Sequence, residues 1–527
     1  MAGNPCSPQW RASGFTVFAC EAFGLAHGPQ MTKALLIFPH QLFNHHPGLD
    51  KRPDRICLVE DTLFFGDRQY PMRFHKQKLW LHRASMARYA KRLEGLKPEF
   101  EYIRYEAGKA LLKPLIARLA KAGTKEVMAC DPVDFILEKR LRSYCEDHDL
   151  GLTLIRTPLF LNTPGENRAW REDNKSWFQA EFYKRQRRHF DVLMDGDKPK
   201  GGQWSFDDEN RKKVPKKLRD SVPQLAPREP DELEEEARKS VEEDFPDNYG
   251  SLDTLWWPTN HEDAESWLGA FLNERFEQFG PYEDAILEGE TLLWHSAITP
   301  MLNIGLLTPQ LVLDAAKAFI EHRDIPMNSA EGFIRQVIGW REFMRATYED
   351  IGVPMRTTNH WGHTRKLPES FWTGETGIAP IDDTVKRVLA TGYCHHIERL
   401  MVLGGFMFIC EIDPDDIYKW FMEMFADSYD WVMVPNAYAM SQNADGGRIT
   451  TKPYFSGSAY VRKMGNHEKG EWCDVWDGLY WRWIWRNREQ LSGNPRWAMM
   501  VSMAEKMDEE KRDGHLKTAA NFLSGLG

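Results

Sequence analysis

Paired cysteines are missing from this chain. Its eight cysteines, Cys6, Cys20, Cys57, Cys130, Cys145, Cys394, Cys410 and Cys473, include no Cys-x-x-Cys pair. That spacing excludes a disulfide framework and a zinc or iron–sulfur signature, and it is the usage of a reduced, intracellular protein. No apolar run approaches the roughly 18 residues of a membrane-crossing helix, so none is expected. A basic excess is also missing: 68 Lys and Arg stand against 78 Asp and Glu, a net charge of −10. Any contact with nucleic acid must then come from a local patch rather than the field of the whole molecule. The start lacks a strongly basic stretch, and Glu21 interrupts the mildly apolar Phe15 to Leu25. Residues 1–32 read as an extension that is either a targeting segment or the product of a mis-set start.

What is present divides the chain, whose 527 residues call for two or three domains. Short apolar runs at 34–38, 55–60, 101–105, 126–130 and 152–155 alternate with helix-length segments such as 76–89. This predicts a parallel-sheet, Rossmann-like α/β domain over residues 33–165. Ligands of such sheets bind beyond the carboxyl ends of the strands, which makes His40, Gln41 and Glu60 candidate contacts, with loop capping an equal reading. Residues 166–262 read as a linker, basic from Phe182 to Arg219 and acidic from Pro227 to Pro246. The basic half interleaves cations with aromatics and glycines, a composition that tracks phosphates, although a solvated loop has the same look. From 263 to 527 apolar residues recur at three and four, predicting a large all-α domain. Most of the twenty tryptophans belong in its core. A subset is available for stacking or electron hopping.

Within the helical half, Tyr393-Cys-His-His-Ile-Glu-Arg-Leu400 carries two adjacent histidines, with His396 and Leu400 one turn apart on a shared helix face. Around it stand Phe279-Gly-Pro-Tyr-Glu-Asp284, His295-Ser-Ala-Ile-Thr-Pro300, Phe333-Ile-Arg-Gln-Val-Ile-Gly-Trp-Arg-Glu-Phe343, Phe371-Trp-Thr-Gly374, Ala444-Asp-Gly-Gly447 and Thr451-Lys-Pro-Tyr454. In order and spacing these segments resemble the photolyase–cryptochrome family, specifically its prokaryotic photolyase-related branch that includes the bacterial (6-4) photolyases. The likeness runs from about residue 33 to near the C-terminus.

The resemblance implies an antenna-type α/β domain, a helical domain holding FAD, and light-driven electron transfer to a lesion in UV-damaged DNA. By position, His295, Ser296, Ile298 and Thr299 fall at the flavin's phosphates and ribityl chain, and Gln336, Trp340 and Arg341 line its site. Asp427 faces the flavin's polar edge and Met433 its N5, with Tyr282 and Asn436 nearby. His395, His396 and Leu400 form the lesion face, because a (6-4) lesion needs an imidazole that donates a proton at neutral pH. Trp420 and Trp372 match the electron chain, with Tyr429 as an accessory. Phe421 replaces a tyrosine of relatives, so a detour through Trp431 is also open. Arg211, Lys212, Lys213 and Tyr454 are the DNA contacts, and Asp207 is a weak Mg²⁺ candidate. Glu60 matches a lumazine-type antenna contact, whereas His40 replaces an Asp, which leaves the antenna open. At the four thiolate positions of relatives with a [4Fe-4S] cluster stand Pro380, Glu468, Glu471 and Cys473, so no cluster is expected. A monomeric cytoplasmic (6-4) photolyase is the leading expectation. A cryptochrome-like photoreceptor is the alternative, favoured by Phe421 and Met433, and a flavoprotein without photochemistry is a third reading.

Overall fold

A computed structural model describes residues 32–450 and 452–526. The expectations for the N-terminal extension to residue 31, and Thr451 of the last motif, lie outside them. The first apolar runs pair as five parallel strands: β1 (Lys33–Ile37), β2 (Arg55–Val59), β3 (Glu99–Ile103), β4 (Glu126–Cys130) and β5 (Gly151–Ile155), in the order β3-β2-β1-β4-β5. Their central members are Leu-, Ile- and Val-rich because helices cover both faces of a parallel sheet. β3 lies two residues earlier than its sequence pattern suggests, since the register that matches it to β2 pairs Glu99 with Arg55. Strand order reverses between β1 and β4, so their carboxyl ends border a crevice.

The segment read as a linker is folded. Capping boxes start the helices Pro164–Asp173 and Glu232–Asp244. The second, far from being a solvated acidic run, docks along the helix Lys76–Glu94. Trp80 Nε1 donates to the Glu234 carbonyl at 3.1 Å, and the Glu234 carboxylate, 1% exposed, meets Arg228 at 3.1 Å, Arg88 at 3.2 Å and the Thr259 hydroxyl at 2.6 Å. An ion pair needs nearby partners once buried, and the surrounding cations supply them. The basic half is structural in part as well. Arg187 is fully buried and donates to backbone carbonyls of Val192, Leu193 and Trp204.

Beyond residue 260 the chain is helical, and among the described residues no strand of a sheet follows Pro199. The pattern read at Phe333–Phe343 resolves into Met327–Ile334, a wide π-type segment Arg335–Trp340, and Arg341–Thr357. Such widened turns are frequent at functional sites. The first turn of Arg341–Thr357 grips the loop after β5: Glu342 accepts from the backbone N–H of Leu161 at 2.9 Å and of Asn162 at 3.0 Å, and Arg345 donates to the Asn162 carbonyl at 2.9 Å. No helix among the described residues is long and apolar enough to cross a membrane.

Candidate functional site

Three histidines converge. The helix Ala379–Thr391 ends on Gly392 at φ 67°, a left-handed cap, and the chain turns so that His395 lies in the following loop while His396 opens the next helical segment. The two histidines therefore do not share one helix. His395 instead folds back on His295, their rings stacked at 4.5 Å and 8°, with His396 edge-on to His295 at 5.6 Å. His295 is held between Leu293 and Ala297, non-glycine residues at φ 47° and 48°. Backbone in that region costs energy and gathers at functional sites. The His295 ring thus packs on His395 and His396, whereas Thr299 bonds to Asp427.

The three imidazoles differ in how readily they hold a proton. Burial holds His295 and His395 well below the usual histidine range. At His396 loss of solvent works the same way, but the hydrogen bond to Asp284 and the charges of Glu283 and Asp284 outweigh it and raise its pKa. His396 Nε2 lies 3.5 Å from Asp284, and its side chain keeps 45% of its surface accessible. Leu400 is half-buried in the widened turn Glu398–Gly404. Along the rim Arg211 Nε lies 3.6 Å from Asp284 and its guanidinium pairs with Asp207, which also takes Arg335 Nη1 at 3.2 Å. Two guanidiniums thus pair with the carboxylate of Asp207, the weak Mg²⁺ candidate of the sequence. Lys212 is exposed, Lys213 reaches the Arg462 carbonyl at 3.2 Å, and Tyr454 is half-buried beside Lys452.

A second centre forms around Asp427. Its carboxylate takes Arg399 through both terminal nitrogens at 2.9 and 3.1 Å and Thr299 Oγ1 at 2.5 Å, while Asn303 Nδ2 donates to its carbonyl at 2.8 Å. Met433 is buried in the short helix Asp430–Met433, and Asn436 turns back to the Val432 carbonyl. Of the other expected contacts, Gln336 bonds to Glu283 at 2.7 Å, Trp340 packs edge-on to Phe343, Tyr282 packs on Trp294, and the Ser296 carbonyl accepts from Trp267. Arg341 is buried beside this centre. It lies between the rings of Phe160 and Trp431 and donates to Asn303 at 2.6 Å and to the Leu159 carbonyl at 3.2 Å, because a buried guanidinium must spend its donors nearby. Ile298 precedes the six-residue helix Thr299–Ile304.

Aromatic rings lead from this centre outward. Arg399 covers Phe425 at 4.1 Å, Phe425 meets Trp420 at 5.7 Å, Trp420 meets Trp372 at 6.3 Å, and Trp372 stacks on the half-buried Tyr249 at 4.5 Å. Phe421 packs edge-on to Trp420 at 5.3 Å, beside this line. Tyr429 and Trp431 stand elsewhere. The Tyr429 hydroxyl bonds to His82 Nε2 at 2.7 Å and its ring faces Phe64 and Lys78, whereas Trp431 packs on Phe160. Both seal the junction with the sheet, so neither extends the tryptophan pair. No local sequence signal joins Tyr249 to Trp372; only folding does.

The antenna candidates bond within the sheet domain, although His40 Nδ1 is buried without a partner. His40 Nε2 lies 3.0 Å from the Pro132 carbonyl, Gln41 donates to the Cys130 carbonyl at 2.9 Å, and Glu60 accepts from the Tyr102 hydroxyl at 2.7 Å and the Tyr105 N–H at 2.8 Å. The first two lie where β1 and β4 end, and those of Glu60 where β2 and β3 end. Of the four positions compared with cluster ligands, Pro380 is buried at a helix start, Cys473 is buried, and Glu468 and Glu471 are exposed.

The chemistry of the Asp427 centre fits a flavin dinucleotide. A carboxylate held by a guanidinium suits the donor and acceptor edge of a flavin ring, and Arg275, which faces His295 and Tyr393, is buried with Nε and Nη2 unpartnered. Unspent buried cationic donors are what a phosphate group requires. Sequence reasoning missed Arg275 because an arginine in a helix is ordinarily a surface residue. It also passed over Arg399, although that residue lies one turn from His395 in the same motif.

Comparison with known proteins agrees with this architecture. A family model described as deoxyribodipyrimidine photo-lyase-related protein matches residues 35–257. The chain is 33% identical over 496 residues to a (6-4) photolyase of Agrobacterium fabrum, covering 91% of this chain and 96% of that one. It is 25% identical over 181 residues, 31% of the relative, to a mitochondrial deoxyribodipyrimidine photo-lyase of Saccharomyces cerevisiae. In fold it is similar to a bacterial class III photolyase from Agrobacterium tumefaciens, with TM-score 0.55 and 16% identity over 95% of this chain and 99% of that chain. A Synechocystis cryptochrome is similar at TM-score 0.55 and 14% identity over 84% and 89%. With a parallel-sheet domain, a helical remainder and near full-length similarity to a bacterial photolyase, the chain belongs to the photolyase–cryptochrome family, among the photolyase-related proteins.

Proposed function

We propose that the protein is a light-driven, FAD-dependent DNA photolyase that repairs (6-4) pyrimidine–pyrimidone photoproducts. The observation that carries this reading is the histidine cluster, in which one imidazole is accessible and charge-stabilised while two are buried and neutral. FAD, when bound, supplies the electron under blue light; Asp427, Arg399, Thr299 and Arg275 would hold it. The repair of a (6-4) lesion returns a hydroxyl group between two bases, which needs a proton at the lesion. His396 carries that proton, and Asp284 keeps the imidazole charged and oriented. His395, neutral and backed by Glu398 at 3.3 Å, fixes the loop that presents it. Arg211 and Tyr454 border the same rim and suit the phosphates and bases of a strand entering it. Trp420, Trp372 and Tyr249 offer a path for electrons to the surface.

The test is to illuminate the reduced protein with oligonucleotides bearing (6-4) or cyclobutane lesions and follow lesion loss. Loss of the (6-4) lesion is expected, and His396→Ala should lower it by at least about 10²-fold with flavin content unchanged. Full repair by that variant would remove His396 from the reaction. No repair, with light-dependent flavin reduction intact, would favour the cryptochrome-like photoreceptor that Phe421 and the buried Met433 leave as the second reading.

A further inference from the structure

His295, His395 and His396 each bring one ring nitrogen to within 4.8 Å of the other two. What surrounds them sorts the nitrogens. His396 turns Nε2 toward Asp284 at 3.5 Å, and His395 turns Nε2 toward Glu398 at 3.3 Å. His295 is hydrogen-bonded at its ring by the Glu283 backbone. His295 Nε2 and both ring nitrogens of His395 are buried with no hydrogen-bond partner, the Glu398 carboxylate at 3.3 Å being an ion-pair neighbour of His395 Nε2. A buried polar atom left unpaired is destabilising and calls for an explanation. Here three such atoms sit beside a third imidazole, with carboxylates or a carbonyl near each ring. That outer arrangement orients histidines toward a metal ion and raises their basicity.

We propose that these three imidazoles form a binding site for one Zn²⁺-class transition-metal cation, and that its occupancy inhibits repair. Nitrogen ligands suit Zn²⁺, Co²⁺ and Ni²⁺ rather than Mg²⁺ or Ca²⁺, which take oxygen. Three protein nitrogens leave a fourth position open for water. The stacked rings of His295 and His395 must swing apart to place both lone pairs on one ion. The metal would take the lone pair on which His396 carries the proton, so binding and proton donation exclude each other. The inhibitory consequence rests on the repair reading; the site itself does not.

The flavin-loaded protein, freed of metal with a chelator, is titrated with Co²⁺ while d–d absorption is recorded to the red of the flavin bands, and with Zn²⁺ by calorimetry. About one equivalent should bind with a tetrahedral-type Co²⁺ spectrum. His295→Ala should abolish the spectrum, and Asp284→Asn, which removes a supporting carboxylate and no ligand, should weaken binding by about 10- to 100-fold. Unchanged binding by His295→Ala, or no stoichiometric binding by the native protein, would overturn the site. Should the first variant misfold, unchanged affinity in Asp284→Asn overturns it instead. In the repair assay Zn²⁺ should slow lesion loss and a chelator restore it; repair indifferent to saturating Zn²⁺ sinks the inhibition. If no repair occurs with or without metal while the Co²⁺ spectrum appears, the repair reading fails and the metal site stands.

Discussion

Lys78 illustrates how single buried groups set the behaviour of this protein. Its ammonium donates to the Ser428 carbonyl at 2.5 Å and lies 4.3 and 4.8 Å over the rings of Phe74 and Tyr429. Burial lowers its pKa from 10.5 to about 7, with the Asp427 charge opposing that shift. The unfolded chain therefore holds a proton on this lysine that the folded chain has lost between pH 7 and 10.5. Stability gains with pH over that window, and the burial penalty is fully present below it, with a slope of up to about 1.4 kcal/mol per pH unit. Lys78→Met removes that slope. Unfolding free energies of the two proteins at pH 7, 8 and 9 should diverge in favour of the native chain as pH rises, and parallel curves would contradict the buried charge. At the same scale the candidate site separates into side chains that reach outward, His396 and Arg211, and side chains such as Arg341 whose donors are used up inside.

Helix Glu232–Asp244 carries the clearest lesson at the level of elements. Its composition, with glutamates at 232, 234, 235 and 236, reads as a solvated face. Most of them are that, but Glu234 turns inward to two arginines and a threonine. Glu234→Ala would leave Arg88 and Arg228 adjacent without their shared anion, at a cost of roughly 2–4 kcal/mol, less than for a fully buried pair because both arginines keep some solvent. Thermal unfolding should show the loss, and Glu236→Ala, on an exposed residue, should stay within about 0.5 kcal/mol of the native protein. Amphipathic periodicity reveals which elements exist; which single acid on a helix is buried depends on partners outside that helix, one of them Arg88, more than a hundred residues away. The histidine pair follows the same logic. Spacing suggests a helix face shared by His396 and Leu400, and the left-handed Gly392 ends the preceding helix early enough to leave His395 in a loop, where it stacks on His295.

The whole molecule depends on the seam between sheet and helices. Glu342 spends both carboxylate oxygens on the N–H groups of Leu161 and Asn162, and burial raises its pKa while those two bonds pull it back. Glu342→Ala would strand two buried donors, costing roughly 2–4 kcal/mol, and should raise protease cleavage near residue 160; limited proteolysis that finds no new site there would show the seam held by other contacts. By itself the sequence determined the strands from their apolar runs, the helices from their periodicity, and the family from motifs whose residues stay close in the chain. Those properties are local, so they survive without coordinates. Only the tertiary structure decided which groups meet: His295 with His395, Tyr249 with Trp372, Asp284 with His396, and the internal partners that occupy Glu60, Asp207 and Arg341. These contacts join residues tens to hundreds of positions apart, and hydrogen-bond satisfaction in a buried environment, which no linear pattern encodes, selects among them.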